Sequence, residues 1–136
     1  MEMTGGCHCG AVRFSVTLGI ENPRRCNCSL CRMRGAVVVT ARYGDLSITA
    51  GERVIKLYRF NTMKAEHWFC AKCGIYTHHR RRSNPDELSV NVACLDGVSP
   101  FDFGVVPVYD GMVHPGDRPG DSAYRIAGWL RYEEGG

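Results

Sequence analysis

The chain has 136 residues and a mass of 15.1 kDa, with 44% apolar residues, 23% charged residues and a formal net charge of +3. This length suits one globular domain, and no apolar run approaches the roughly 18 residues that cross a bilayer. The first ten residues, MEMTGGCHCG, lack the basic and apolar regions of a secretory signal, so a soluble cytoplasmic protein with no membrane partner is expected. In a reducing compartment its eight cysteines are expected to bind metal or do chemistry rather than form disulfides.

Short segments with the pattern of β-strands fill most of the sequence. Val12, Phe14 and Val16 alternate with polar residues, which is the period of a strand with one buried face. No long window has the period of an amphipathic helix. Further strands are predicted at 36–40, 46–50, 54–60, 66–70, 74–80, 88–94 and 105–109. The sequence therefore predicts a mainly β domain.

Turn signals separate these strands. Gly-Asp at 44–45 and Gly-Glu at 51–52 predict turns, and the segment Ser-Asn-Pro-Asp at 83–86 predicts the connection to the strand at 88–94. Residues 111–121 are predicted to form an ordered loop, because apolar residues interrupt an otherwise polar run.

The helical signals are confined to one short segment. A single turn is predicted at 30–34, with Ser29 as its N-cap. Gly35 is the expected end of this turn, because glycine adopts the left-handed conformation of a C-cap at little cost.

Seven of the eight cysteines lie in three tight groups, which random scatter would rarely produce. The groups are Cys7-His-Cys9, Cys26-Asn-Cys28-Ser-Leu-Cys31 and Cys70-Ala-Lys-Cys73. Two thiolates on one turn can bind the same ion, and a glycine after the first and third groups lets backbone N–H groups approach the sulfurs. The spacing therefore predicts metal bound by thiolates, and zinc in particular.

The first and third groups predict a structural zinc site. Zinc takes four ligands in such sites, so two pairs that are distant in sequence can form one closed four-sulfur site. Its ligands would be Cys7, Cys9, Cys70 and Cys73, and the ion would tie the N-terminal part of the chain to the central hairpin.

The second group predicts a different kind of site. Cys26, Cys28 and Cys31 lie within six residues, so all three can bind one ion and leave its fourth position open. Three protein ligands with an open position are typical of catalytic zinc, where water or substrate completes the coordination. We therefore expect two zinc ions per chain, with the catalytic ion at this group.

Two alternatives stay open for the cysteines. A Cys-x-x-Cys pair also occurs in thioredoxin-like redox proteins, although the βαβ context of those proteins is absent. The second site could also be structural if a further residue closed it. The candidates for closing it are Cys94, His8, His78, His79 and His114.

Most of these residues are expected to have roles other than binding zinc. Cys94 lies in an apolar strand pattern and is expected to be a small buried residue. His8 lies between two predicted ligands and is expected to point away from them. His67 and the pair His78-His79 are expected to be ordinary strand or surface residues.

Four motifs resemble those of the glutathione-dependent formaldehyde-activating enzyme family, also called the centromere-protein-V-like family. In chain order they are Gly5-Gly-Cys-His-Cys-Gly-Ala-Val-Arg-Phe14, Cys26-Asn-Cys-Ser-Leu-Cys31, Phe69-Cys-Ala-Lys-Cys-Gly74 and Val90-Asn-Val-Ala-Cys-Leu-Asp96. The resemblance is strongest over residues 3–110, and residues 1–136 are interpreted as one domain. It implies an Mss4-like β fold with a four-cysteine structural zinc site and a three-cysteine catalytic one.

The resemblance also implies an activity, the addition of the thiol of glutathione to formaldehyde to give S-hydroxymethylglutathione. Such enzymes are classed as carbon–sulfur lyases. An open zinc site suits this chemistry because it can hold a thiol as the more nucleophilic thiolate, or polarise the aldehyde oxygen. The expected partner is thus a small thiol or thiol adduct, with glutathione as co-substrate and Cys26, Cys28 and Cys31 as the catalytic residues.

The residues that select the substrate are less defined. Arginines could pair with the carboxylates of glutathione, although a run of arginines is also typical of an exposed surface. The candidates are Arg32, Arg34, Arg80, Arg81 and Arg82. The candidates for proton transfer are Asp45, Glu66, Asp96 and His114, which share only the ability to titrate.

The competing hypothesis is a non-catalytic, zinc-stabilised module that binds protein, chromatin or nucleic acid. Seven metal-bound thiolates and two dications together contribute −3, which offsets the formal charge of +3. A nearly neutral domain is a poor general nucleic-acid binder, and Tyr58-Arg-Phe60 is the only triplet that interleaves aromatic and basic residues. We therefore favour the enzyme and expect no nucleic-acid partner; the oligomeric state is not specified by the sequence.

Overall fold

The fold comes from a computed structural model that describes residues 1–82, 84–112 and 125–136. Strands dominate these residues, so the predicted mainly β class is confirmed. The finer Mss4-like assignment stays a prediction. Among the described residues, no helix has both the length and the apolar character needed to span a membrane.

The described residues contain ten strands and one α-helix. The strands are β1 (Glu2–Gly6), β2 (Arg13–Leu18), β3 (Arg25–Cys26), β4 (Val38–Ala50), β5 (Ile55–Tyr58), β6 (Glu66–Cys70), β7 (Tyr76–Arg80), β8 (Glu87–Asn91), β9 (Val105–Tyr109) and β10 (Ile126–Arg131). The helix, α1 (Ser29–Arg34), follows β3, and short 3-10 turns occupy Val92–Cys94 and Pro100–Asp102.

The strands form two sheets. The large one has seven antiparallel strands in the order β1-β2-β4-β8-β7-β6-β5, and the small one has the order β10-β9-β3, with β3 parallel to β9. Arg24 connects them, because its N–H donates to the carbonyl of Val38 and its carbonyl accepts from the N–H of Val38, both at 2.9 Å. This pairing holds β3, and the helix that follows it, beside β4.

The hydrophobic core lies on one face of the large sheet. Phe14 and Val16 of β2 are each 1% exposed, as the alternation of the sequence predicts, and Val39 and Val90 of neighbouring strands pack with them. Burial of each such side chain contributes about 1.5–3 kcal/mol. Gly5 allows β1 to pack against this core, because a Cβ there would lie 2.8 Å from the ring of Phe14.

The large sheet is strongly curled. β1 is its first strand and β6 its sixth, so about 24 Å would separate them in a flat sheet with about 4.8 Å between strands. The sulfur of Cys7, directly after β1, nevertheless lies within 4.8 Å of the sulfur of Cys70, the last residue of β6. The curl therefore brings opposite ends of the sheet together at the cysteines.

The predicted turn at 44–45 is wrong, because β4 continues through it. Val16 pairs with Leu46 whereas Leu18 pairs with Ala41, so β4 accommodates additional residues as a bulge. Pairing with β2 beyond the bulge and with β8 before it keeps the strand continuous. The turn at 51–52 is confirmed, and the predicted strand 88–94 ends at Asn91, where a 3-10 turn begins.

The helix is one residue longer than predicted, and its N-cap is Cys28 rather than Ser29. The Cys28 sulfur accepts the N–H of Cys31, while Gly35 ends the helix with φ 70° as predicted. The strands β1, β3 and β10 were not predicted. Of the predicted turn 83–86 and loop 111–121, Ser83 and the residues from 113 onward lie outside the described residues.

Candidate active site and metal centres

The curl of the large sheet assembles a four-sulfur cluster from Cys7, Cys9, Cys70 and Cys73. All four sulfurs lie within 4.8 Å of one another, with 3.6 Å between Cys7 and Cys9 and 3.8 Å between Cys9 and Cys70. Sulfurs at about 2.3 Å from a tetrahedral zinc ion would be about 3.8 Å apart. The donor set therefore fits zinc.

Backbone N–H groups favour the thiolate form in this cluster. Val12 N–H donates to the sulfur of Cys7 at 3.2 Å. The N–H groups of Ile75 and Cys9 lower the pKa of Cys73 to about 6. A thiolate is the form that binds a metal, so the local backbone prepares this cluster for an ion.

A three-sulfur cluster forms where β3 meets α1. The sulfurs of Cys26, Cys28 and Cys31 lie within 4.8 Å of one another. Each accepts one N–H donor: Cys26 from the Cys28 backbone at 3.4 Å, Cys28 from the Cys31 backbone at 3.3 Å, and Cys31 from Arg34 Nη2 at 3.4 Å. Hydrogen bonds from the thiols of Cys26 and Cys31 lower the pKa of Cys28 to about 2. This donor set also suits a zinc ion, because thiolate sulfur is a soft ligand.

The three-sulfur cluster gains no fourth ligand from the described part of the chain. Cys94 is instead 5% exposed in the core, as predicted, and its sulfur donates to the carbonyl of Tyr76 at 3.4 Å. His8 is exposed and lies outside both clusters. His78 and His79 lie outside the cluster, and His114 lies outside the described residues.

Gly111 packs directly against this cluster. Its N–H donates to Asn27 Oδ1 at 2.7 Å, and the pairing of β9 with β3 holds it there. A Cβ at this position would overlap the sulfur of Cys26 and lie 2.9 Å from the Cβ of Cys28. A glycine is therefore required at 111 by the close approach of the two segments.

A cavity of about 300 Å³ opens beside the three-sulfur cluster, whose cysteines form part of its wall. The described residues of this wall include five arginines and no aspartate or glutamate. The arginines are Arg24, Arg25, Arg34, Arg81 and Arg82. Such a cavity favours an anionic ligand, because guanidinium groups pair with carboxylates.

Three of the five arginines that the sequence suggested line this cavity, namely Arg34, Arg81 and Arg82. Arg32 is exposed on the helix and is absent from the described wall. Arg80 is also absent from it, because its Nε donates to the carbonyl of Pro85 at 2.6 Å and its guanidinium covers another side chain.

Arg24 is a wall residue that the sequence did not indicate. Its guanidinium donates to Thr40 Oγ1 at 2.7 Å and to Ser89 Oγ at 2.8 Å. Burial lowers the pKa of Arg24 from its usual value. The pairing of Arg24 with β4 places it here, which no local sequence signal encodes.

Two histidines that were expected to be ordinary strand or surface residues also line the cavity. His67 of β6 is 7% exposed, and its ring stacks on that of His79 of β7 at 4.8 Å between centroids. Arg34 Nη1 lies 3.2 Å from His67 Nδ1. The hydroxyl of Tyr76 lies 2.6 Å from Nδ1 of His79. His67 and His79 are strand residues, as expected, but the register of their strands turns them towards the cavity.

The acidic candidates for proton transfer lie elsewhere. Asp45, Glu66 and Asp96 are absent from the described cavity wall, and each forms an ion pair with an arginine. His114 lies outside the described residues. Among the residues described, the wall of this cavity therefore offers sulfur, guanidinium, imidazole and hydroxyl groups but no carboxylate.

Comparisons with known proteins show which family the chain resembles. The family model described as "Glutathione-dependent formaldehyde-activating enzyme" matches residues 2–106. A Halomonas elongata protein, provisionally named as such an enzyme, is 33% identical over 83 residues, which are 54% of this chain and 53% of that protein. The chain thus aligns with about half the length of this relative.

A solved structure is also similar. A crystal structure of a Rhodobacter sphaeroides protein, determined as a Northeast Structural Genomics target, has 56% sequence identity and a TM-score of 0.76. The match covers 78% of this chain and 99% of that one. Since the family model covers most of the sequence and both cysteine clusters, the chain belongs to the glutathione-dependent formaldehyde-activating enzyme family.

Proposed function

We propose that the protein is a zinc-dependent enzyme that makes or breaks the carbon–sulfur bond between formaldehyde and a small anionic thiol such as glutathione. One observation carries the proposal. A cluster of three cysteine sulfurs forms part of the wall of a cavity that has five arginines and, among the described residues, no carboxylate. The family membership supports the same activity, and residues 1–136 would act as one domain.

The two clusters would hold different zinc ions. At Cys26, Cys28 and Cys31, a zinc ion would let a substrate thiol lose its proton near neutral pH. At the four-sulfur cluster, Cys7 and Cys70 would be joined across the curled sheet, so that metal binding contributes to folding.

The cavity would select its substrate by charge. Glutathione carries two carboxylates, and Arg81 and Arg82 line the cavity along with other arginines. Bidentate pairing between guanidinium and carboxylate is strong and directional, so it can orient the thiol towards the sulfur cluster. Phe60 and Ala65 add apolar surface to the wall, which reduces the space available to water.

The experiment must separate catalysis from the uncatalysed reaction, because thiols add to formaldehyde without help. Exchange spectroscopy with ¹³C-formaldehyde measures the rate at which the label moves between free formaldehyde and the thiol adduct. The zinc-loaded protein is expected to accelerate this exchange with glutathione and much less with 2-mercaptoethanol, which has no carboxylate.

Two variants complete the experiment. Cys28→Ser is expected to abolish the acceleration, whereas Cys94→Ser is the matched control, because Cys94 lies outside both clusters and serine preserves a donor to Tyr76. An unaccelerated exchange with every thiol would refute the proposal and favour the non-catalytic binding module.

A further inference from the structure

We infer that His67 donates a hydrogen bond from Nε2–H to the substrate oxygen, which is the aldehyde oxygen in one direction and the hydroxymethyl oxygen in the other. The inference rests on the proposed function and adds a residue to it. It follows from the position of the His67 ring in the cavity wall and from the single tautomer that Arg34 permits.

The ring of His67 has a fixed orientation. His67 is 7% exposed, and its ring contacts those of Phe60, at 5.6 Å between centroids, and His79, at 4.8 Å. The pairing of β6 with β7 places the two histidines directly opposite each other. A side chain held in this way is preorganised for a directional hydrogen bond.

Arg34 determines which nitrogen of His67 carries the proton. Its Nη1 lies 3.2 Å from His67 Nδ1. A guanidinium has only donors, so Nδ1 must accept and cannot carry a proton. In the neutral ring the proton is therefore on Nε2.

The ring stays neutral at the pH of the cell. Burial, with a contribution from the charge of Arg34, lowers the pKa of His67 to about 4. A neutral Nε2–H can donate to an oxygen that gains negative charge, and it does not add a further positive charge beside the metal ligands.

The Nε2 atom is available to a ligand. Arg34 Nε is the only buried side-chain nitrogen or oxygen that lacks a hydrogen-bond partner within the described part of the chain. Nε2 of His67 also has no partner there, so it must reach accessible space. His67 lines both this cavity and a smaller pocket whose described wall includes Tyr58 and Trp68 but no cysteine. Since the cavity is the one that also holds the three-sulfur cluster, it is where we place the substrate of this donor.

The same arginine also fixes the donor relative to the sulfurs. Arg34 donates to Cys31 through Nη2 at 3.4 Å and contacts His67 through Nη1, while its guanidinium packs 3.6 Å from the centre of the Tyr76 ring. One rigid planar group therefore orients a cluster sulfur and the imidazole together.

The bond changes balance without a further reactant. As the thiolate sulfur attacks the carbonyl carbon, the S–C bond forms, the C=O π bond breaks and its electron pair moves to the oxygen. The hydrogen bond from Nε2–H stabilises this oxygen, and solvent water returns to it the proton that the thiol released when it became a thiolate, so that no proton is gained or lost overall. His67 keeps its own proton throughout, and the reverse reaction follows the same path.

The first test compares variants of the zinc-loaded full chain in the formaldehyde exchange measurement. His67→Phe keeps an aromatic ring but removes the donor, and is expected to lower kcat about 100-fold while the KM for glutathione changes less than about twofold. His67→Gln places an amide donor near the position of Nε2 and is expected to restore part of the rate. His78→Phe is the matched control, because His78 is equally buried in the same hairpin and lies outside the described cavity wall.

The second test does not depend on turnover. Two-bond ¹H–¹⁵N correlation spectra of the wild-type protein are expected to show His67 as the Nε2–H tautomer, and its ring signals are expected to shift with glutathione and formaldehyde together but not with glutathione alone. A protonated Nδ1, an absent shift, or an unchanged kcat in His67→Phe would each overturn the inference. Should the wild-type protein bind the adduct with this shift but fail to turn it over, the proposed function fails and the donor role stands.

Discussion

Gly111 provides a test of whether the packing of the C-terminal segment controls the three-sulfur cluster. Alanine at this position would place a Cβ 2.9 Å from the Cβ of Cys28 and in overlap with the sulfur of Cys26. Carbon atoms normally pack at about 3.5–4.0 Å, so the two segments must separate by at least about 0.6 Å. Overpacking of this kind costs about 1–3 kcal/mol.

This strain falls on the metal ligands themselves. If the whole free-energy cost of overpacking is taken from zinc binding at the three-sulfur cluster, Gly111→Ala weakens the zinc affinity of this cluster by about 5-fold to about 140-fold. The four-sulfur cluster, at the curled ends of the large sheet, should keep its ion. The exchange activity should fall together with the zinc affinity of the three-sulfur cluster.

The assay is a titration with a colorimetric zinc chelator, which resolves a weakly held ion from a tightly held one. Gly104→Ala is the matched control, because a Cβ at Gly104 meets nothing within 4 Å in the same C-terminal segment. Equal release curves for the wild type and Gly111→Ala would refute the reasoning, and so would an equal effect of Gly104→Ala.

Two further predictions concern the roles of the clusters and the buried histidines. Cys70→Ser should greatly lower the thermal midpoint of unfolding, because Cys70 joins opposite ends of the curled sheet, whereas Cys28→Ser should stay folded but inactive. Thermal unfolding followed by circular dichroism measures both variants. An equal loss of stability in the two would contradict the division of roles between the clusters. Burial holds the pKa of His67 and of His78 at about 4, against 6.5 for an ordinary histidine, so the unfolded chain binds more protons between these values. The free energy of unfolding should therefore be at its full value above about pH 6.5 and fall by up to about 3 kcal/mol per histidine towards pH 4. Urea titrations of wild type and His78→Gln should show a shallower acid decline in the variant, and identical profiles would contradict this.

The sequence predicted the fold class and most of the central strands, because alternation and turn residues are local signals. β6 was predicted with the observed bounds, and Gly35 ends the helix as expected. The signals failed where long-range pairing decides the structure. β3 has only two residues and depends on β9, and β4 passes through a Gly-Asp pair because partner strands hold it on both sides.

The cysteines show the same division between what local sequence predicts and what long-range packing decides. Their spacing alone grouped them into a four and a three, because a metal ion requires several thiolates within one small sphere and neighbouring residues on a turn can supply them. The family resemblance, which the family model confirms, followed from the same motifs. The sequence by itself thus determined which residues could bind metal and which family the chain belongs to.

Only the tertiary structure decided what surrounds the three-sulfur cluster. Arg24, His67 and Gly111 come from three distant parts of the chain and meet at one cavity through sheet register and the pairing of β3 with β9. No local pattern distinguishes His67 from His78, because each is a histidine within a strand of the same hairpin, and in the structure both are buried. Their different roles follow from the direction in which each strand position faces, and that direction is set by the curl and the strand register.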